Sequence, residues 1–191
     1  MKRIIAFLLA AVMALSFCAC GKKDLDPETY VGEGLLATFR SLVDSNQYFY
    51  NEVFVLGHLK VSNTTTVTEG KKTYALVTDP RYSNYADLEA ALKAVYTEKC
   101  ADEILKKYPI YKDINGSLYL DMSKAPEGKE GEKWTFNLDK SPVVSRAKEK
   151  EYELDYFFTR GARTKKQDFD FVRVGNGVRD SYRLEDFVDV G

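Results

Sequence analysis

Histidine occurs once in these 191 residues, at His58, so paired-histidine zinc sites and two-histidine proton relays are excluded by count. Three cysteines are present, and two of them, Cys18 and Cys20, lie in the first twenty residues. Only Cys100 is left for the folded part, which excludes an internal disulfide there; a domain of this size buries enough apolar surface to stand without one. No Gly-x-Gly-x-x-Gly, Gly-x-x-x-x-Gly-Lys-Ser/Thr or Gly-x-Ser-x-Gly run occurs, so nucleotide cradles and nucleophile elbows have no sequence support. Charge of one sign is also lacking: 28 Lys+Arg against 29 Asp+Glu give a formal net charge of -1, with no dominant basic patch, which argues against a nucleic-acid partner. No cofactor, no metal and no catalytic residue is expected.

What is present begins at the N-terminus. Met1-Lys2-Arg3 precedes an apolar run from Ile4 to Phe17 interrupted only by Ser16. Such a run is too short to cross a bilayer core of roughly 30 Å at about 1.5 Å per helical residue, and it reads as a secretory signal. Ala19 supplies the small residue that cleavage requires, so the signal is residues 1–19. Cys20 is then the lipidation site, carrying a diacylglyceryl anchor at the extracytoplasmic face of a cell membrane, as in a bacterial lipoprotein. Residues 20–26 are a tether and 27–191 a single domain. Removing Lys2 and Arg3 leaves 26 Lys+Arg against 29 Asp+Glu, a formal charge of -3.

Within that domain, Pro27 and Glu28 open a helix whose apolar positions are Val31, Leu35, Phe39, Leu42 and Val43, with Gly32 and Gly34 weakening its first turns. The aromatic and branched segment Asn51 to Leu59 is expected as a strand. Val61 to Thr68 and Lys72 to Thr78 form a hairpin turning at Glu69-Gly70. Ser83-Asn84 with Asp87 opens a second helix, and Thr97 caps a third that ends before Pro109. Asn115-Gly116 marks a tight hairpin. Trp134, Phe136 and Leu138 alternate as a strand, and Val143 to Phe158 presents Tyr152, Leu154, Tyr156 and Phe158 on one face. Thr159 to Lys166 is expected as a turn. A two-residue Asn176-Gly177 loop would pair Phe171 with Tyr182, Phe169 with Leu184 and Asp170 with Arg183. The composite is an α+β domain, N-terminal helices on a strongly curved antiparallel sheet.

Two features carry the binding expectation. The segment Ala125 to Lys133 has no apolar period, so Lys124, Glu127, Lys129, Glu130, Glu132 and Lys133 form a candidate partner-binding loop. Tyr48, Phe49 and Tyr50 are consecutive and cannot all point inward from a strand; with Tyr82 and Tyr85 they supply a candidate aromatic patch of Tyr48, Tyr50, Tyr82 and Tyr85. The carboxylate pairs Glu151/Glu153 and Asp168/Asp170 each share a strand face opposite apolar residues and read as solvated. Cys100 lies in an apolar helical stripe and reads as a small buried hydrophobe.

The run Asp79-Pro80-Arg81-Tyr82, Tyr85-Ala86-Asp87-Leu88, Val95-Tyr96-Thr97, Leu105, Tyr108-Pro109-Ile110-Tyr111 and Asn115-Gly116-Ser117-Leu118-Tyr119 resembles IseA-type D,L-endopeptidase inhibitors of Gram-positive bacteria. That resemblance covers residues 79–120. It implies a mixed α/β fold and a non-catalytic role, occupying the cleft of papain-like cell-wall hydrolases that cut peptidoglycan peptides. The ending Arg183-Leu184-Glu185-Asp186-Phe187 is similar to the last strand of cone-shaped nuclear-transport-factor-like and cystatin-like folds, which implies instead a small-ligand-binding or scaffolding domain.

Overall fold

In the computed structural model the chain is described over residues 27–128, 131, 133–148, 150–175 and 181–191. The tether, Cys20 and the signal lie outside that range. Helix α1 (Pro27–Tyr30) stops where Gly32 takes φ 84°, and α2 (Glu33–Tyr48) begins immediately after. Gly32 thus breaks the first helix in two rather than merely softening it, while Gly34 lies within α2. Leu36, Phe39, Leu42 and Val43 bury the inner face of α2.

The expected strand at 51–59 is absent. From Phe49 to Phe54 the helix widens into a π-helical turn, with Val55 N–H and Leu56 N–H both donating to the Tyr50 carbonyl at 3.1 Å. Aromatic and branched residues suit a strand and a packed helical turn alike, so composition alone could not separate the two. The wider turn brings Phe49, Tyr50, Val53 and Phe54 inward together. Gly57 then passes so close that an added Cβ would lie 2.8 Å from the Asn51 carbonyl oxygen.

Two antiparallel sheets follow. The first has the order β1-β2-β4-β3, built from β1 (Val61–Glu69), β2 (Lys72–Val77), β3 (Tyr111–Ile114) and β4 (Ser117–Asp121). Between β2 and β3 lie α3 (Tyr85–Val95) and α4 (Glu98–Lys107). Asn84 and Asp87 form a reciprocal capping box on α3, and Thr97 Oγ1 accepts from the Cys100 N–H of α4. Asn115 and Gly116 adopt φ 54° and 80°, the left-handed pair that a two-residue hairpin requires.

The second, strongly curled sheet has the order β5-β7-β8-β9, with β6 also on β7. Its strands are β5 (Thr135–Phe136), β6 (Val143–Ala147), β7 (Glu151–Arg160), β8 (Arg163–Val174) and β9 (Ser181–Leu184). β5 is shorter than the alternation suggests, and Leu138 is 67% exposed. The turn expected over Thr159–Lys166 contracts to Gly161-Ala162, because β7 and β8 stay paired to Arg160↔Arg163. The last hairpin shifts by two: Phe171 pairs with Leu184 and Val174 with Ser181, leaving residues 175–180 between the strands. Of these, 176–180 lie outside the described residues, the Asn176-Gly177 turn among them. A shift of two preserves which face each side chain takes, so the hydrophobic pattern is satisfied in either register. Asp170 consequently meets Arg146 Nη2 at 2.9 Å rather than Arg183, whose Nε donates to the Lys93 carbonyl at 2.9 Å.

The core joins helices and sheets through aromatic rings, Phe39 stacking on Phe171 at 4.1 Å and Phe158 on Phe169 at 6.0 Å. The segment after β9 crosses back over the helices. Asn46, wholly buried on α2, accepts from Val188 N–H and donates to its carbonyl, each at 3.0 Å, while Tyr96 Oη donates to Asn46 Oδ1 at 3.0 Å. Phe187 then lies among Tyr50, Phe54, Tyr96 and Tyr108.

Candidate functional site

The segment from the π-helical turn to Lys60 is the hub on which the predicted site residues converge. Tyr111 fastens it: its hydroxyl accepts from Leu59 N–H at 2.9 Å and donates to the Val53 carbonyl at 2.8 Å. Burial raises that hydroxyl's pKa, so it stays a neutral phenol able to do both.

On one side of the hub runs the polar loop. Its entry is fixed by Asp121, a buried carboxylate that accepts from Ser123 Oγ at 2.6 Å, Ser123 N–H at 3.1 Å and Lys72 Nζ at 3.2 Å. Burial pushes this carboxyl up, but the hydrogen bonds from Ser123 and the Lys72 ion pair outweigh it and hold it below the usual carboxylate range. Lys124 Nζ reaches the Pro109 carbonyl at 3.1 Å, Gly128 at φ 61° passes beside the Leu56 carbonyl, and Lys133 Nζ pairs with Glu52 at 2.8 Å. Lys124 and Glu127 are exposed and Lys133 half-buried. Lys129, Glu130 and Glu132 lie outside the described residues.

On the other side stands Arg81. Its guanidinium donates to both Asp79 oxygens, at 3.0 and 2.7 Å, and to Tyr48 Oη at 2.8 Å. It also lies 4.8 Å from the Tyr48 ring centroid and 5.5 Å from that of Tyr82. The Arg81 hydrogen bonds hold the Asp79 carboxyl below its ordinary range, and desolvation raises the Tyr48 phenol. Arg81 is well exposed, so a partner would meet a fixed fork backed by two rings.

The aromatic patch therefore forms only in part. Tyr48 and Tyr82 come together around Arg81, though Tyr82 is buried beneath the guanidinium, and Tyr85 is half-buried at the start of α3. Tyr50 is buried against Phe187 and the Asp189 side chain. The expectation that Tyr48 to Tyr50 cannot all turn inward assumed strand geometry, and the π-helical turn removes that constraint.

The remaining candidates are held in structural roles. His58 is half-buried in a loop, its Nδ1 2.8 Å from the Leu59 carbonyl. Cys100 is buried, and burial pushes its thiol up to about 12, which leaves it protonated and unreactive at neutral pH. Glu151/Glu153 and Asp168/Asp170 are not the pairs that interact. The register sets Asp155 opposite Asp168, with Asp155 only 3% exposed and ion-paired to Lys166. Hydrogen bonding to Asp155 pushes the Asp168 carboxyl up to about 6. Cross-strand register, invisible in sequence, was the missing signal. Among the described residues no group of three His, Cys, Asp or Glu is placed to hold a metal, and no helix is long and apolar enough to cross a membrane.

No family model matches this chain, and no curated protein matches it.

Proposed function

We propose that this protein is a lipid-anchored, extracytoplasmic binding protein that restrains cell-wall D,L-endopeptidases by occluding their clefts. The observation that carries this reading is the polar loop fastened at both ends, by Asp121 at its entry and by Lys133–Glu52 at its exit, beside the exposed Arg81. Loop ends fixed before contact leave less conformational entropy to be lost on binding. Anchorage through Cys20 would confine the inhibitor to the membrane surface facing the wall. No bond is made or broken; the loop excludes substrate.

The competing reading, a cone-fold small-ligand-binding or scaffolding domain, has on its side an open groove of about 610 Å³ lined by residues including Leu35, Leu42, Ala94, Tyr182 and Arg183. The rings that would line an interior cavity instead stack on one another, which favours the inhibitor reading.

Digestion of peptidoglycan by a papain-like D,L-endopeptidase, with the full chain added in mild detergent, tests it. Dose-dependent inhibition not shared by a muramidase, and weakened at least tenfold on deleting residues 128–131, is expected. No inhibition at high excess overturns it.

A further inference from the structure

We propose that the tip of the β7–β8 hairpin is a binding surface for a linear polyanion carrying phosphate groups. The inner face of this ribbon changes character along its length. Its cross-strand pairs run Tyr152↔Phe171, Leu154↔Phe169, Tyr156↔Gln167, Phe158↔Lys165 and finally Arg160↔Arg163. Where the ribbon leaves the core, the face that carried rings carries cations. Arg160 and Arg163 stand directly opposite one another beside the two-residue turn, a like-charge placement that disfavours the hairpin on its own.

Trp134 lies under this face. The Arg160 guanidinium is 4.9 Å and the Lys165 ammonium 4.6 Å from its ring, and the indole is only 8% exposed. Lys165 also donates to the Gly191 carbonyl at 2.8 Å, which fixes where its charge sits. Desolvation holds the Lys165 pKa below its ordinary value, against the nearby Asp189 carboxylate, which raises it more than Arg160 lowers it. Lys166, on the opposite face, is paired with Asp155 and takes no part. Arg163 is exposed at the end of the ribbon. Two guanidinium forks and an ammonium within strand spacing suit successive phosphates, whose oxygens Arg engages in pairs.

The occupant chosen is a polyanion outside the bilayer, and vesicles separate it from a lipid headgroup in the test below. Helix α1 packs beside β6, and β6 pairs with Tyr152–Asp155 of β7. The tip is five to eight residues further along, about 17–26 Å at roughly 3.3 Å per strand residue.

Trp134 is the only tryptophan in the chain and so reports on this site directly. Titration of the full chain in nonionic detergent with long-chain inorganic polyphosphate should change its emission saturably. Arg163→Glu should weaken binding at least tenfold and flatten the dependence of log K on log salt by about 1. Lys71→Glu, the same charge change on the exposed β1–β2 turn, should stay within about twofold of the parent. Equal losses in the two variants, equally tight binding of polyglutamate, or no binding at low salt overturns the proposal. With the chain in phosphatidylglycerol vesicles, polyphosphate should bind as in neutral ones; a block by the anionic bilayer overturns the chosen occupant. Failure of the chain to sediment with either vesicle refutes the anchor alone, since the detergent titration does not depend on it.

Discussion

Replacing Asn46 by leucine isolates the contact that closes the domain. The side chains are similar in volume, so the change removes three hydrogen bonds with little loss of packing: Val188 N–H, the Val188 carbonyl and the Tyr96 hydroxyl all lose their partner. A buried polar group left unsatisfied costs about 1–3 kcal/mol. Val188 is half-buried and its strap can lift towards water, which puts each loss near the lower bound, about 3 kcal/mol for three. Added apolar contact from leucine offsets about 1 kcal/mol, leaving about 2 kcal/mol. Tyr96→Phe removes one of the three bonds and should cost about 1 kcal/mol. Urea denaturation gives both values from the midpoints, and Tm should fall by about 4–8 °C in Asn46→Leu. Hydrogen exchange should show lost protection at the Val188 amide in the native state. A cost below about 0.5 kcal/mol for Asn46→Leu, or a larger one for Tyr96→Phe, refutes the claim that Asn46 holds the strap.

Two further outcomes follow from titratable groups. Asp168 has its folded carboxyl pushed up to about 6, above the unfolded value, so the folded state binds more protons and this group adds stability as pH falls from 7 towards 4. Asp155, held below its ordinary range, opposes this only at lower pH. Denaturation at pH 7 and pH 5 should show Asp168→Asn lacking a stability gain that the parent has; identical pH dependence refutes the raised Asp168 carboxyl. Cys100, its thiol pushed up to about 12 by burial, should resist a thiol-exchange reagent at pH 8 until denaturant is added, and prompt labelling at Cys100 itself in the native chain, located by peptide mapping, would show the α4 packing to be wrong.

Local chemistry was legible where the signal is complete within a few residues. The Asn84/Asp87 capping box, the Thr97 cap and the Asn115-Gly116 turn each satisfy backbone groups three or four positions away, and each forms as the sequence indicates. The two-sheet arrangement was coarser in sequence, which suggested one curved sheet. Register in the last hairpin was illegible because alternation fixes faces but not shifts of two. The π-helical turn was illegible because its hydrogen bonds depend on Tyr50 and its neighbours finding Phe187 and Phe54 in the core, a tertiary outcome. The strap from Phe187 to Val190 has no period at all; buried Asn46, 142 residues from Val188 in sequence, is what orders it.

The same distinction governs the candidate loop. Its polarity was readable, its fixation was not, because the groups that hold it come from distant strands and from the π-helical turn. These fastenings are unequal. Lys133–Glu52 joins a partly covered ammonium to a half-exposed carboxylate, and such pairs contribute less than about 1 kcal/mol. Asp121 is 4% exposed at its side chain and satisfied by two donors from Ser123 besides Lys72, so removing it strands several buried groups together. Of the two fastenings, the one at Asp121 is therefore the stronger. Under the proposed occlusion, Asp121 would set the direction in which the loop leaves β4, and the exposed Arg81 fork, held by Asp79 and Tyr48, would supply a second rigid contact across the hub.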